Sequence, residues 1–153
     1  MIVAGSTTMQ ISHNGIEFLK DAEGFRDKAY RDSVGVWTVG YGTTRIYGKP
    51  VEAGQTCTQN EAELWLTADT ASVQTAINRS VRAPLRQNQY DALVSFVYNI
   101  GIQAFQNSTM LKKLNAGDYS GAAAEFPRWD KAGGQVIPGL HSRRLREQSL
   151  FTQ

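Results

Sequence analysis

The sequence predicts an α+β fold: a small antiparallel sheet near the N-terminus, then a long helix, then a mainly helical second half. Glycines recur at 35, 40, 42 and 48, among the β-formers of Val34-Gly-Val-Trp-Thr-Val-Gly-Tyr-Gly-Thr-Thr44, which is the pattern of short strands joined by tight turns. Thr58-Gln-Asn-Glu61 forms a capping box, and Ala62, Leu66, Val73 and Ile77 follow it near helical spacing. Beyond Pro84, apolar residues recur at helical spacing between polar caps and glycines.

Ser12 is the first N-cap, with Ile11 and Ile16 placed as a hydrophobic staple. Ile16, Leu19 and Glu23 share one face of the helix that follows, and Gly24 stops it. Residues 25–51 hold the sheet, and the capping box starts a connecting helix over 58–80, ended by Pro84. Asn88 is the expected cap of a helix over 89–100, Ser108 of one over 109–115, and Ser120 of one over 121–129. Gly133-Gly134 and Pro138-Gly139 mark a loop before a last helix through Arg143, Leu145 and Leu150. Residues 1–8 read as a disordered leader, 9–57 as an α+β lobe and 81–153 as a helical lobe of one domain, with a cleft between the lobes as the expected site.

The chain has 153 residues, enough for one domain with its own core, and its 41% hydrophobic and 20% charged content excludes a disordered or repeat protein. Cys57 is the only cysteine, so packing has to stabilise the chain without an intramolecular disulfide. No run approaches the roughly 20 apolar residues of a membrane span, and Met1-Ile-Val-Ala-Gly5 has neither the basic start nor the apolar run of a signal peptide. The net charge is +2, with Arg128, Arg143, Arg144 and Arg146 gathered near the end. That bias suits an anionic polymer, and nucleic acid and the bacterial wall both qualify; a solvated helix face gives the same pattern.

Two carboxylates stand in contrasting surroundings. Glu23 ends an apolar helix face, where partial burial and the negative end of the helix dipole favour the neutral acid, whereas Asp32 lies in a polar loop between Arg31 and Ser33. One protonated and one ionised carboxyl group are what glycoside hydrolysis requires. Glu17, Asp21 and Asp27 are assigned to solvated positions. His13 and His141 lack further ligands at zinc spacing, so no metal and no cofactor is expected. Trp37, Trp65 and Trp129 offer sugar-stacking surfaces, though core packing accounts for at least two of them. No serine has a nucleophile-elbow context, and Cys57, just before a helix, is assigned an incidental role.

Glu23, Asp32 nine residues on, Thr38 six further, and Gly40-Tyr-Gly-Thr43 together resemble the signature of the phage-type lysozymes. Asn88-Gln-Tyr-Asp-Ala-Leu-Val-Ser-Phe-Val-Tyr-Asn-Ile-Gly101, Phe105-Gln-Asn-Ser-Thr109 and Gly139-Leu-His-Ser-Arg-Arg-Leu-Arg-Glu147 resemble that family's helical and closing segments, so the likeness runs from about residue 9 to the end. It implies a lysozyme-like fold and an endolysin, a muramidase that cuts the β-1,4 bond between N-acetylmuramic acid and N-acetylglucosamine. Glu23 is then the general acid, and Asp32 and Thr38 hold and activate a water on the opposite face of the sugar, inverting the anomeric centre. Tyr98, Asn99 and Ser108 are implied to contact substrate, and one of Arg143 and Arg144 to approach Glu23. The implied partner is the peptidoglycan glycan strand, met by a monomer that binds no nucleic acid. The protein is expected to accumulate in the host cytoplasm and to reach the periplasm or wall through a separate pore-forming phage membrane protein. Two alternatives stay open: a lytic transglycosylase, which needs one acid and no activated water, and a non-catalytic wall-binding module using the C-terminal arginines.

Overall fold

The structure is a computed structural model that describes residues 8–153. Apart from Thr8, the expected leader lies outside the described residues. The chain divides into two compact units: Ile16–Ala71, and the remainder, formed by the segment up to Gly15 together with Ser72–Gln153. Helices α1 (His13–Glu23) and α2 (Gln59–Ser80) both pass from one unit into the other.

Within the first unit, Gly24 stops α1 as expected, with φ +73° and its N–H donating to Lys20 O at 2.9 Å. Strands β1 (Arg26–Arg31) and β2 (Trp37–Gly40) pair antiparallel, with Tyr30 opposite Thr38 and a bulge between Arg26 and Tyr30. The middle of β1 turns to a different neighbour: Ala29 N–H donates to Gln55 O at 2.8 Å, and Cys57 N–H donates to Asp27 O at 2.9 Å. A second hairpin joins β3 (Arg45–Ile46) to β4 (Lys49–Pro50). The Thr58 capping box forms as read, its hydroxyl accepting from Glu61 N–H at 3.1 Å while Glu61 Oε1 accepts from Thr58 N–H at 3.0 Å. Ile16, Leu19, Val39, Tyr41, Val51, Ala62 and Leu66 are the buried apolar residues of this unit.

The other unit is built on α3 (Gln87–Ile100), which is buried from Gln89 to Val97. Around it lie α4 (Ile102–Gln106), α5 (Thr109–Asn115), α6 (Tyr119–Ala123), a 3₁₀ turn over Phe126–Arg128 and α7 (Pro138–Phe151). Phe96 meets Phe126 edge-on at 5.1 Å, and Phe126 in turn packs on Phe151 at 5.5 Å.

Several boundaries differ from the sequence reading, each for a local reason. Helix α2 does end at Ser80, as read, and Asn115 closes it there: its amide donates to Ser80 O at 2.9 Å and its carbonyl accepts from Arg82 N–H at 2.8 Å. Asn88 does not cap α3. It lies inside the helix and donates to Leu150 O at 2.9 Å, while Gln89 Oε1 takes the Arg86 N–H at 2.8 Å. Asp118, not Ser120, caps α6, accepting from Gly121 N–H at 2.8 Å, and that helix is only five residues long. Pro138 opens α7 instead of preceding it, since a missing N–H costs nothing in a first turn. The Gly133-Gly134 stretch is the turn of a third hairpin, Lys131–Ala132 (β5) with Gln135–Val136 (β6).

The N-terminal segment belongs with the helical unit rather than with the sheet, because its backbone is tied there. Ile11 N–H donates to Gln74 Oε1 at 2.8 Å, Asn78 donates to Met9 O at 3.0 Å, and Ser12 N–H donates to Asp91 Oδ1 at 3.0 Å. The Ser12 hydroxyl caps α1 as expected, accepting from Gly15 N–H at 3.0 Å, and itself donates to Asp91. Asp91 is buried and also accepts from Gln87. Asp91→Ala strands these donors, so it is expected to lower unfolding free energy by about 2–4 kcal/mol, read by urea denaturation. A variant as stable as the wild type would mean that the N-terminal tether contributes nothing.

Candidate active site

Glu23, Asp32 and Thr38 all fall in the sheet-bearing unit. Glu23 is the last residue of α1 and half-buried, placed by the apolar face that buries Ile16 and Leu19. Asp32 starts the turn between β1 and β2. Its Oδ1 accepts from Val34 N–H at 3.0 Å and from Val36 N–H at 2.8 Å, while its own N–H and C=O bond to Val36 O and Gly35 N–H. The Asp32 carboxylate therefore builds the turn that holds it.

Thr38 is buried on β2 and its hydroxyl donates to Val36 O at 2.9 Å. With that hydrogen spent, the oxygen has only lone pairs to offer another ligand. Beyond it, Val39 and Thr43 exchange both backbone hydrogen bonds, 2.9 and 3.0 Å, closing the Gly40-Tyr41-Gly42 loop. A Cβ at Gly40 would lie 2.9 Å from the Ala62 Cβ, and Gly40 has φ +67°, so both space and backbone require glycine there. Thr43 is buried and donates to Asp69 Oδ2 at 3.1 Å, fastening the loop to α2.

The arginines of the closing segment do not form one basic surface. Arg128 and Arg146 are exposed, but Arg143 and Arg144 are buried in the helical unit, which corrects the reading of all four as a cationic face. They bracket Glu147, at 3.2 Å from Arg143 Nε and 2.9 Å from Arg144 Nε, and the Ser95 hydroxyl donates to the same carboxylate at 2.5 Å. Burial pushes the Glu147 carboxyl up, against the opposing pull of Arg144 and Arg143. The sequence reading assigned Ser95 and Glu147 no role. The available signal was a glutamate three and four residues after two arginines on a helix.

Among the residues implied to contact substrate, Asn99 is exposed and accepts from Arg144 Nη2 at 2.5 Å, and Tyr98 is half-buried against the helical core. Ser108 is only 4% exposed and is used as a cap, donating to Phe105 O at 2.6 Å and accepting from Leu111 N–H at 3.1 Å. Its place at the start of α5 is the cap that the sequence predicts. Trp129 packs edge-on against Phe96 at 5.9 Å, while Trp37 stacks under the Arg31 guanidinium at 5.0 Å. Burial, followed by Glu61 and Asp27, pushes the Cys57 thiol up, away from a reactive thiolate. His141 Nδ1 lies 2.9 Å from Asp130, and among the described residues no group of three His, Cys, Asp or Glu side chains is placed to hold a metal.

Asp69 provides a pH test of the loop anchor. Burial pushes its carboxyl above the usual range, only partly offset by the Thr43 hydroxyl. A raised value means that ionisation costs folding free energy at neutral pH, a cost absent below the ordinary carboxylate range. Asp69→Asn keeps an acceptor for Thr43, so it is expected to raise the melting temperature at pH 7 and leave it unchanged in strong acid. Destabilisation at pH 7 would show that the charge, not the hydrogen bond, anchors the loop.

A model of the phage lysozyme family matches residues 20–147. The chain is 48% identical to an endolysin of Acyrthosiphon pisum secondary endosymbiont phage 1, over 94% of this chain and 98% of that one. It is 45% identical to an endolysin of Bacillus phage PZA, again over 94% of this chain but spanning only 55% of that longer protein. A solved endolysin from Escherichia coli O157:H7 phage FAHEc1 superposes with a TM-score of 0.91 at 41% identity, covering 95% of each chain.

Proposed function

The chain belongs to the phage lysozyme family, and from that premise we propose that Glu23, Asp32 and Thr38 hydrolyse the β-1,4 bond between N-acetylmuramic acid and N-acetylglucosamine with inversion. As a member it is a lysozyme, a glycoside hydrolase acting on peptidoglycan. The supporting observation is how the acceptors are arranged on the β1–β2 turn. Asp32 Oδ1 is taken by two backbone N–H groups and the Thr38 hydrogen is taken by Val36 O. Asp32 Oδ2 and the Thr38 oxygen are then left to accept from a water, whose own lone pair points at the anomeric carbon.

In this scheme Glu23 gives its proton to the leaving oxygen as the glycosidic bond breaks. The water oxygen bonds to the anomeric carbon from the opposite face, and its proton passes to Asp32. Charge and atoms balance with proton transfers alone. A lytic transglycosylase would use the sugar's own hydroxyl and leave a 1,6-anhydro end, making no use of the Asp32 and Thr38 acceptors. Tyr98 and Asn99 complete the reading as substrate contacts. Release to the wall through a separate pore-forming membrane protein is also part of it, and lysis by the chain expressed alone would overturn that part. No helix among the described residues is long and apolar enough to cross a membrane.

Glu23→Gln is expected to fold normally and to lose about 10²–10⁴ in rate on purified walls. Asp32→Asn should be severely impaired. Thr38→Ser should retain measurable activity, whereas Thr38→Val, which removes the acceptor, should approach Asp32→Asn. Wild-type products carrying 1,6-anhydromuramyl ends, or a folded Glu23→Gln variant with more than about a tenth of wild-type activity, would reject the mechanism.

A further inference from the structure

The tip of the second hairpin is built at a cost that its fold does not require. Tyr47 and Gly48 form the two-residue turn between β3 and β4, with φ +50° and +79°. Positive φ at both positions defines a type I′ turn, which asparagine, aspartate or glycine fills at its first position without strain. Tyr47 is the only non-glycine residue with positive φ among those described, and it is 93% exposed. An aromatic ring kept in water on a strained backbone contributes nothing to the core. The turn itself is braced: Arg45 Nη1 donates to Gly48 O at 2.9 Å.

Beside the ring lies a depression of about 710 Å³, lined also by Lys49, Pro50, Glu52 and Gln55. Its volume falls in the range of about 300–1,000 Å³ that holds small ligands. The lining pairs an apolar wall, Tyr47 and Pro50, with one cation, one anion and an amide. Gln55 Oε1 is occupied by Glu52 N–H at 3.2 Å, leaving its NH₂ to donate. Opposite charges in equal number do not select an anionic peptide or a nucleic acid. They suit a neutral ligand that is apolar on one face and rich in hydroxyl and acetamido groups on its edge.

We propose that Tyr47 and this depression form an accessory glycan subsite, in which one N-acetylhexosamine of the strand stacks on the tyrosine ring. The inference rests on the reading of the chain as a peptidoglycan hydrolase. None of these residues takes part in the cleavage chemistry, so the subsite acts on strand binding alone.

The test uses Tyr47→Gly and Tyr47→Phe. Glycine removes the ring and also relieves the backbone, so stability should hold or rise, which separates lost binding from lost folding. Binding is measured on the Glu23→Gln background with purified, peptide-free glycan strands and with chitobiose, and cleavage kinetics of the strands on the otherwise wild-type chain. Tyr47→Gly is expected to weaken strand binding and raise KM by about three- to tenfold, the loss of one aromatic contact. Chitobiose binding at the catalytic centre should not distinguish the variants, kcat on the strands should be unchanged, and Tyr47→Phe should bind strands like the parent. Strand binding by Tyr47→Gly equal to the parent, or Tyr47→Phe as weak as Tyr47→Gly, would overturn the subsite. A parent protein that leaves the strands uncut would instead overturn the hydrolase reading, a result obtained before any Tyr47 variant is compared.

Discussion

Strand β2 lies against helix α2 only because residue 40 has no Cβ. The place a side chain would take at Gly40 is occupied by Ala62, and larger residues at either position would push strand and helix apart. Thr38 sits two residues before that contact and Thr43 three after it, so the contact sets the position of the threonine proposed to hold the water and of the threonine that fastens the loop. Val39 and Thr43 close the loop through paired backbone bonds, and Asp69 holds it from α2. Core packing and site geometry in this unit are therefore one constraint.

Asp32 shows the same economy at the other end of the hairpin. A carboxylate that accepts two backbone N–H groups fixes the turn, and a fixed turn limits where its second oxygen can point. A side chain on a mobile loop needs a supporting shell to hold it, whereas Asp32 is held by its own strand connection. The glycine at position 35 and the valines around it are the material of that turn, which explains why the polar loop of the sequence is short and rich in β-formers.

In the helical unit the organising feature is electrostatic. Arg143, Arg144, Glu147 and Ser95 are all buried and bind one another between α3 and α7. Desolvation of the charges offsets much of their mutual attraction, so the cluster adds little net stability, but removing one partner leaves a buried charge at a cost of about 3–5 kcal/mol. It ties the two helices together through Arg143, which donates to Ser95 O at 3.1 Å, and through the Ser95–Glu147 hydrogen bond. Two of the four arginines that look like a polymer-binding surface, Arg143 and Arg144, are thereby withdrawn from solvent.

Much of this protein was determined locally and was legible in the sequence. The Ser12, Thr58 and Ser108 caps, the Gly24 stop and the hairpins of the glycine-rich stretch each depend on residues a few positions apart, and all formed as read. The family was legible because the spacing of its signature is carried by one short segment. What depended on distant partners was not. Leu150 and Phe151 draw Asn88 away from a cap, Asp91 and Gln74 pull the first residues onto the helical unit, and Glu147 buries two arginines. Each of these is a polar group whose hydrogen-bond partner lies tens of residues away or on a neighbouring helical turn. Propensity and periodicity do not record such partners, so only the tertiary structure could settle them.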